Sequence, residues 1–204
     1  EMLPFEEVTY WNEIKTIFDW ARKHVTSTLY ICWASQAALY HFYGIEKKPL
    51  DKKLFGVFKH SAEDKLDPLF RGFDDEFYIP HSRHTTVEKE DILKNPAIKI
   101  LSESDKAGIS IVSTRGGREL YLTGHSEYSP LTLHEEFVRD REKGLEIDVP
   151  DNYYKNDNPD EEPVVRWSGH ANLLFNNWLN YYVYQETPFD VNEVKHLGDL
   201  KIQS

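Results

Sequence analysis

The chain has a single cysteine, Cys32, in the stretch TLYICWASQAALYHFYG (28–44), and its neighbours decide what it can do. STLYIC is short and apolar with a β-branched residue and reads as a buried strand, ending about Ile31. ASQAALYHFY is rich in helix formers and ends at Gly44. Cys32 then falls on the sharp turn from strand to helix, the layout of a nucleophile elbow. Such a turn exposes the side chain and aims the N–H of the next residue, Trp33, at the oxygen of a reacting carbonyl, making Trp33 the candidate oxyanion donor. A helix N-terminus also favours a thiolate, the reactive form of a thiol. On composition alone, a lone cysteine is more often a small buried hydrophobe.

A thiol nucleophile needs a base, and the base needs a carboxylate that fixes its tautomer and stabilises the imidazolium. LYLTGHSEYS (120–129) offers both, with a strand ending at Gly124 and His125 and Glu127 just beyond it. A histidine beside a glutamate is commonplace by itself, but catalytic groups in α/β sheets gather at the carboxyl ends of strands. YIPHSRHTT (78–86) places His81, Ser82, Arg83 and His84 after another apolar run. Two histidines three residues apart could hold a metal; a polar, substrate-facing loop is the preferred reading.

The elements that must position these residues follow from periodicity. Val8, Trp11, Ile14, Phe18 and Ala21 recur at steps of three and four, an amphipathic helix. Helix, strand and helix in this order predict an α/β layered architecture with a mostly parallel central sheet. LFGVF, EFYIP, IKILSES, AGISIVST and ELYLTG read as the strands of that sheet. A helix is expected over 132–143, between Ser-Pro and Lys-Gly, and a last one carrying Leu173, Leu174, Trp178 and Tyr181 on its core face. DNYYKNDNPDEEP (151–163) combines turn formers with a charge run and is expected to be a solvated loop.

At 204 residues, 40% hydrophobic and 29% charged, the chain can bury one sizeable core, and one α/β domain over 1–204 is expected. No window is long and apolar enough for a membrane span, and no signal-peptide layout opens the sequence, so a cytoplasmic location is expected. One cysteine excludes an internal disulfide and a cysteine-based zinc site, and no metal is expected. A net charge of −11 argues against nucleic acid as a partner.

Four blocks in this order, TSTLYICWASQAALYHFYGI, GFDDEFYIPHSRHT, TGHSEYSPLTLHEEFVRD and NLLFNNWLNYYVYQETPF, resemble the homoserine O-acyltransferases of methionine biosynthesis. The resemblance implies a fold like that of class I glutamine amidotransferases and a ping-pong acyl transfer from acyl-CoA to the hydroxyl of L-homoserine. It implies Cys32 as the acyl-thioester nucleophile, His125 as proton acceptor with Glu127 beside it, and Lys53, Ser82 and Arg139 as substrate contacts. A position just before PFEEV separates acyl donors in this family. Glutamate there accompanies acetyl-CoA and glycine succinyl-CoA; here it is Glu1, and a carboxylate facing the succinyl carboxylate is unfavourable. Acetyl-CoA is therefore the expected co-substrate, with no bound cofactor, and succinyl-CoA the alternative. The resemblance also implies a homodimer. Residues 1–204 would be the C-terminal two-thirds of the family's chain and would need the N-terminal part that family members carry before it. Two other readings stay open. A glutamine amidotransferase-like hydrolase would share Cys and His-x-Glu, although its elbow normally has glycines around the cysteine; a non-catalytic binding module would use Cys32 only for packing.

Overall fold

The apolar spacing over 8–21 produces helix α1 (Trp11–His24), which buries Trp11 and Phe18 and half-buries Ile14 against the body, with Val8 half-buried just before the helix. A computed structural model describes residues 2–190. After α1 come β1 (Thr28–Ile31), α2 (Trp33–Tyr43), β2 (Lys48–Ala62), β3 (Phe77–Thr86), α3 (Lys89–Leu93), β4 (Lys99–Ser104), β5 (Gly108–Thr114), β6 (Glu119–Leu122), α4 (Thr132–Glu142) and α5 (Ser168–Asn177). Each strand foreseen from the sequence is present. Glu1, the residue expected to set acyl-donor choice, lies outside the described residues. Among those residues no helix is long and apolar enough to cross a membrane.

The six strands form one sheet in the order β1-β6-β5-β4-β2-β3. The α/β class is as expected, but the sheet is mixed: β1 and β6 pair in parallel, and the other four ladders are antiparallel. Connection length explains two of these ladders. Only the few residues 105–107 join β4 to β5, and 115–118 join β5 to β6, too short for the crossover that a parallel pair needs. β1 and β6, far apart in sequence, are free to run side by side.

Alternation along the strands divides the core. Val112 and Tyr121 face α1 and α2, where they meet Phe18, Ala37, Ala38 and Leu39; Ile111, Leu120 and Leu122 face Leu174 of α5 and Leu69, Phe70 and Phe77. Beyond α5 the helix widens to π geometry over Trp178–Tyr184, which turns Tyr182 rather than Tyr181 fully inward. The Tyr182 ring occupies the space in which Gly117 lacks a Cβ, and its hydroxyl donates to Asp67 Oδ1 at 2.5 Å.

A third cluster corrects the reading of 151–163 as a solvated loop. Its charged residues are exposed, but Tyr153 and Tyr154 are buried with Phe55, Val57, Leu133, Phe137 and Trp167. The segment is anchored by Asp151, whose N–H donates to Phe55 O at 3.0 Å and whose carbonyl accepts from Val57 N at 2.8 Å. Gly56, at φ 144°, makes this possible: a Cβ there would lie 2.4 Å from Asp151 N.

One ion pair ties α1 to β6, next to the β1 edge of the sheet. Glu119 on β6 is 1% exposed and accepts two bonds from Arg22 on α1, at 2.7 and 2.5 Å, with further donors from Thr114, Arg115 and Tyr121. Burial disfavours the carboxylate, yet the bonds from Arg22, Thr114 and Arg115 outweigh it and lower the pKa from 4.5 to about 2. A depressed carboxyl stabilises the folded state fully above its unfolded value, and that share disappears as pH falls through the folded value. We therefore expect about 3 kcal/mol of unfolding free energy to be lost at this site between pH ~5 and ~2. Denaturant unfolding of wild type and Glu119→Gln across this range is the check; an identical acid loss in both would assign the effect elsewhere.

Candidate active site

Cys32 stands where the sequence places it, between the last residue of β1 and the first of α2. Its backbone adopts φ 52° and ψ −115°, a conformation rare for any residue with a Cβ. The turn is fixed from both sides. Cys32 N–H donates to Leu122 O at 2.7 Å, extending the parallel ladder by one residue, and Cys32 O accepts from Gln36 N at 3.2 Å. The Gln36 side chain, buried, exchanges hydrogen bonds with Thr85 of β3, its Oε1 accepting at 2.8 Å and its Nε2 donating to Thr85 O at 3.2 Å. Cys32 itself is half-buried, not sealed in the core. Trp33 is the first residue of α2, so its N–H belongs to the helix-start donors that have no partner within the helix.

His125 and Glu127 follow β6, the parallel neighbour of β1, and so reach the same end of the sheet as Cys32. Glu127 Oε1 lies 2.6 Å from His125 Nδ1, which leaves the second ring nitrogen available to a thiol. Burial opposes the imidazolium, but the interactions with Cys32 and Glu127 outweigh it and raise the His125 pKa from 6.5 to about 9. Thiol, imidazole and carboxylate are thus electrostatically linked. Two contacts seat the histidine. Its N–H donates to Pro80 O at 2.8 Å, and Gly124 before it lies so close to β3 that a Cβ would be 2.5 Å from Ile79 Cγ2 and 2.8 Å from His81 Nε2.

The PHSRH motif is part of β3 rather than a loop beyond it. Strand alternation turns Ser82 and His84 to one face and His81 and Arg83 to the other, so the two histidines cannot share a metal. Among the described residues no group of three or more His, Cys, Asp or Glu could hold one. His81 and Arg83 are buried in a polar seam beneath Gly124. Arg83 Nε donates to His81 Nδ1 (3.4 Å), His81 Nε2 meets His60 Nε2 (3.2 Å), and His60 Nδ1 donates to Phe58 O (2.8 Å). Burial drives both histidines toward the neutral form, lowering His60 to about 4 and His81 well below 6.5.

Lys53, Ser82 and Arg139 come from β2, β3 and α4 and converge on two carboxylates of α4. Glu136 Oε2 accepts from Ser82 Oγ at 2.5 Å and lies 3.5 Å from Lys53 Nζ; Asp140 Oδ2 is 3.3 Å from the same amine. Arg139, half-exposed, binds Asp140 Oδ1 through Nε and Nη2, both at 2.7 Å. Burial works against ionised Asp140, but the bonds from Arg139 and Lys53 prevail and lower its pKa. Tyr128 joins this cluster to the triad, donating to Glu136 Oε1 at 2.8 Å while its ring stacks on His125. Asp140 and Tyr128 were not singled out from the sequence, nor was Glu136 as the partner of Lys53 and Ser82. The spacing 136, 139, 140 on one helix face was the available signal for Glu136 and Asp140.

Solved structures with this fold include a glutamine amidotransferase from Methylobacillus flagellatus, with TM-score 0.63 and 10% identity, covering 93% of this chain and 75% of that one. Another, a glutamine amidotransferase from Thermotoga maritima, has TM-score 0.56 and 14% identity, covering 72% and 63%. At these identities the likeness is one of fold. Sequence relatives are far closer. A homoserine O-acetyltransferase of Bacteroides fragilis is 66% identical over 195 residues, 96% of this chain, and one of Parabacteroides distasonis is 63% identical over 200 residues, 98% of it. The chain spans 64% of the length of each of these relatives. The homoserine O-succinyltransferase family, HTS, matches residues 1–189, and the chain belongs to that family.

Proposed function

We propose that this chain carries the catalytic residues of a homoserine O-acetyltransferase, which moves an acetyl group from acetyl-CoA through a Cys32 thioester to the hydroxyl of L-homoserine. One observation carries the reading: a cysteine in elbow conformation interacts electrostatically with His125, which is in turn held by Glu127. The names of the relatives supply the substrate class, and Glu1 supplies the choice of acetyl over succinyl.

The proton inventory supports this order of steps. Before acylation, Cys32 and Glu127 together keep His125 protonated at neutral pH. The Cys32 thiolate attacks the thioester carbonyl, the Trp33 N–H stabilises the oxyanion, and collapse of the tetrahedral intermediate expels the CoA thiolate, which takes the proton from His125. The sulfur is now acylated and uncharged. With its anionic partner gone, His125 returns toward the ordinary histidine range and can accept the proton of the homoserine hydroxyl as that oxygen attacks the acyl-enzyme. Collapse of the second tetrahedral intermediate restores the thiolate beside an imidazolium, so each cycle starts where the last one ended.

The α4 cluster suits an amino-acid substrate. Two cations, Lys53 and Arg139, balance two carboxylates, Glu136 and Asp140. A zwitterion is itself neutral, so it can exchange partners without leaving a charge unpaired: its carboxylate takes the planar fork of Arg139, and its ammonium takes Glu136. Ser82 and Lys53 fix the carboxylate that receives it. The proposal includes the homodimer that the family resemblance implies. An amidotransferase-like hydrolysis of glutamine is the competing reading, favoured by the fold neighbours alone, and ammonia release from glutamine would reveal it.

Intact-mass spectrometry of the full-length protein after exposure to acetyl-CoA is expected to show one acetyl adduct that homoserine discharges. Cys32→Ser should abolish the adduct and lower turnover by at least about 1,000-fold. A succinyl adduct formed in preference would overturn the donor, and serine turnover near wild type would overturn the covalent route. Gly124→Ala tests the seat of the histidine. Its Cβ forces the His125 backbone away from β3, and a displacement near 1 Å is expected to reduce kcat by about 100-fold. Circular dichroism on the same sample should show the fold retained.

A further inference from the structure

Tyr128 touches both halves of the site and has no part in the steps just described. Its ring lies nearly parallel to that of His125, with centroids 4.2 Å apart and planes 19° apart, and its hydroxyl donates to Glu136 Oε1 at 2.8 Å. The backbone holds the ring in place from both ends: Tyr128 N–H donates to His125 O at 3.2 Å, and Tyr128 O accepts from the indole Nε1 of Trp167 at 3.0 Å. Trp167 is buried among Tyr153, Leu133 and Phe137, so the tyrosine is fixed to a packed cluster rather than to a mobile turn. Burial and the Glu136 carboxylate both raise the Tyr128 pKa, so the ring stays a neutral phenol.

The electron-rich face of a neutral phenol attracts a cation and is close to indifferent to a neutral imidazole. The groups that face His125 are Cys32 from the β1–α2 turn, Glu127 from its own turn, the neutral His81 from β3, and Tyr128, with Glu136 of α4 behind the phenol. Glu127 binds the ring edge through Nδ1. Tyr128 covers a face.

We propose that Tyr128 is a positioning residue with two separable duties: its ring orients His125 and stabilises the imidazolium, and its hydroxyl orients Glu136 for the ammonium group of the substrate. The second duty rests on the proposed transfer to homoserine; the first does not. Removal of the hydroxyl alone leaves the stack intact and frees one oxygen of Glu136. Replacement of the ring by an aliphatic side chain keeps His125 shielded from water but withdraws the π face.

Both duties are measured on the full-length protein with Tyr128→Phe and Tyr128→Leu, and Tyr128→Met as a second aliphatic variant in case leucine fails to fold. NMR titration of the His125 ring should give the same midpoint for phenylalanine as for wild type, and a midpoint about half a pH unit lower for the aliphatic variants. Steady-state kinetics should give phenylalanine a KM for homoserine about tenfold higher, the loss expected for one hydrogen bond to a charged group, with acetylation of Cys32 by acetyl-CoA less affected. An unmoved midpoint in the aliphatic variants overturns the ring's duty. A phenylalanine variant whose acetylation falls while its KM for homoserine holds overturns the hydroxyl's. Should the wild-type protein acetylate Cys32 without transfer to homoserine, the substrate assignment fails, and the titration still decides the first duty.

Discussion

The site depends on a backbone conformation that Cys32 holds against its own preference. A φ of 52° with ψ −115° costs a residue with a Cβ about 1–3 kcal/mol, and it persists because the surrounding bonds leave no alternative. Strand pairing supplies the first of these, from Cys32 N–H to Leu122 O; helix initiation supplies the second, from Gln36 N–H to Cys32 O. Relaxing the turn would break one or both. The strain therefore presents the sulfur outward at the end of the sheet, next to the helix-start N–H of Trp33, where a buried cysteine of ordinary conformation could not reach.

The parallel β1–β6 pair makes that turn useful. Two strands running in the same direction end on the same side, so the residues after each, Cys32 and then Gly124-His125, emerge together. The rest of the sheet, which is antiparallel, is not needed for this; it brings β3 alongside, and β3 supplies the surface on which the histidine sits. The contact is tight enough to forbid a Cβ at Gly124, and the His81–His60 seam beneath it is neutral. An uncharged support matters. A protonated His81 under His125 would repel the imidazolium that Cys32 and Glu127 maintain.

Much of this was legible in the sequence because local signals carried it. The strand-to-helix switch at Cys32, the strand ending at Gly124 and the helical spacing over 8–21 each depend on fourteen residues or fewer. Pairing direction was less legible: helix-strand-helix at the start suggested a parallel sheet, but four of five ladders are antiparallel, two of them set by short connections further along. The tyrosines of 151–163 were misread because turn formers and charge surround them, while their burial depends on Phe55 and Val57, about a hundred residues away. The same distance hid Glu136. Its partners Lys53 and Ser82 lie 83 and 54 residues upstream, and no periodicity connects them.

Fold neighbours at 10–14% identity share the fold, and the fold by itself cannot select a substrate. In the proposed function, selection rests on the face of α4. Glu136, Arg139 and Asp140 present alternating charge over little more than one helical turn, and Lys53 and Ser82 from two adjacent strands lock it in place. Under the proposed transfer, a face of fixed and balanced charge would recognise a small zwitterion by exchanging ion pairs, at little cost in desolvation, whereas a substrate of net charge would leave one partner unpaired. Tyr128 then makes binding and chemistry interdependent, since the carboxylate that would receive the ammonium group and the imidazole that would take the hydroxyl proton lean on the same ring.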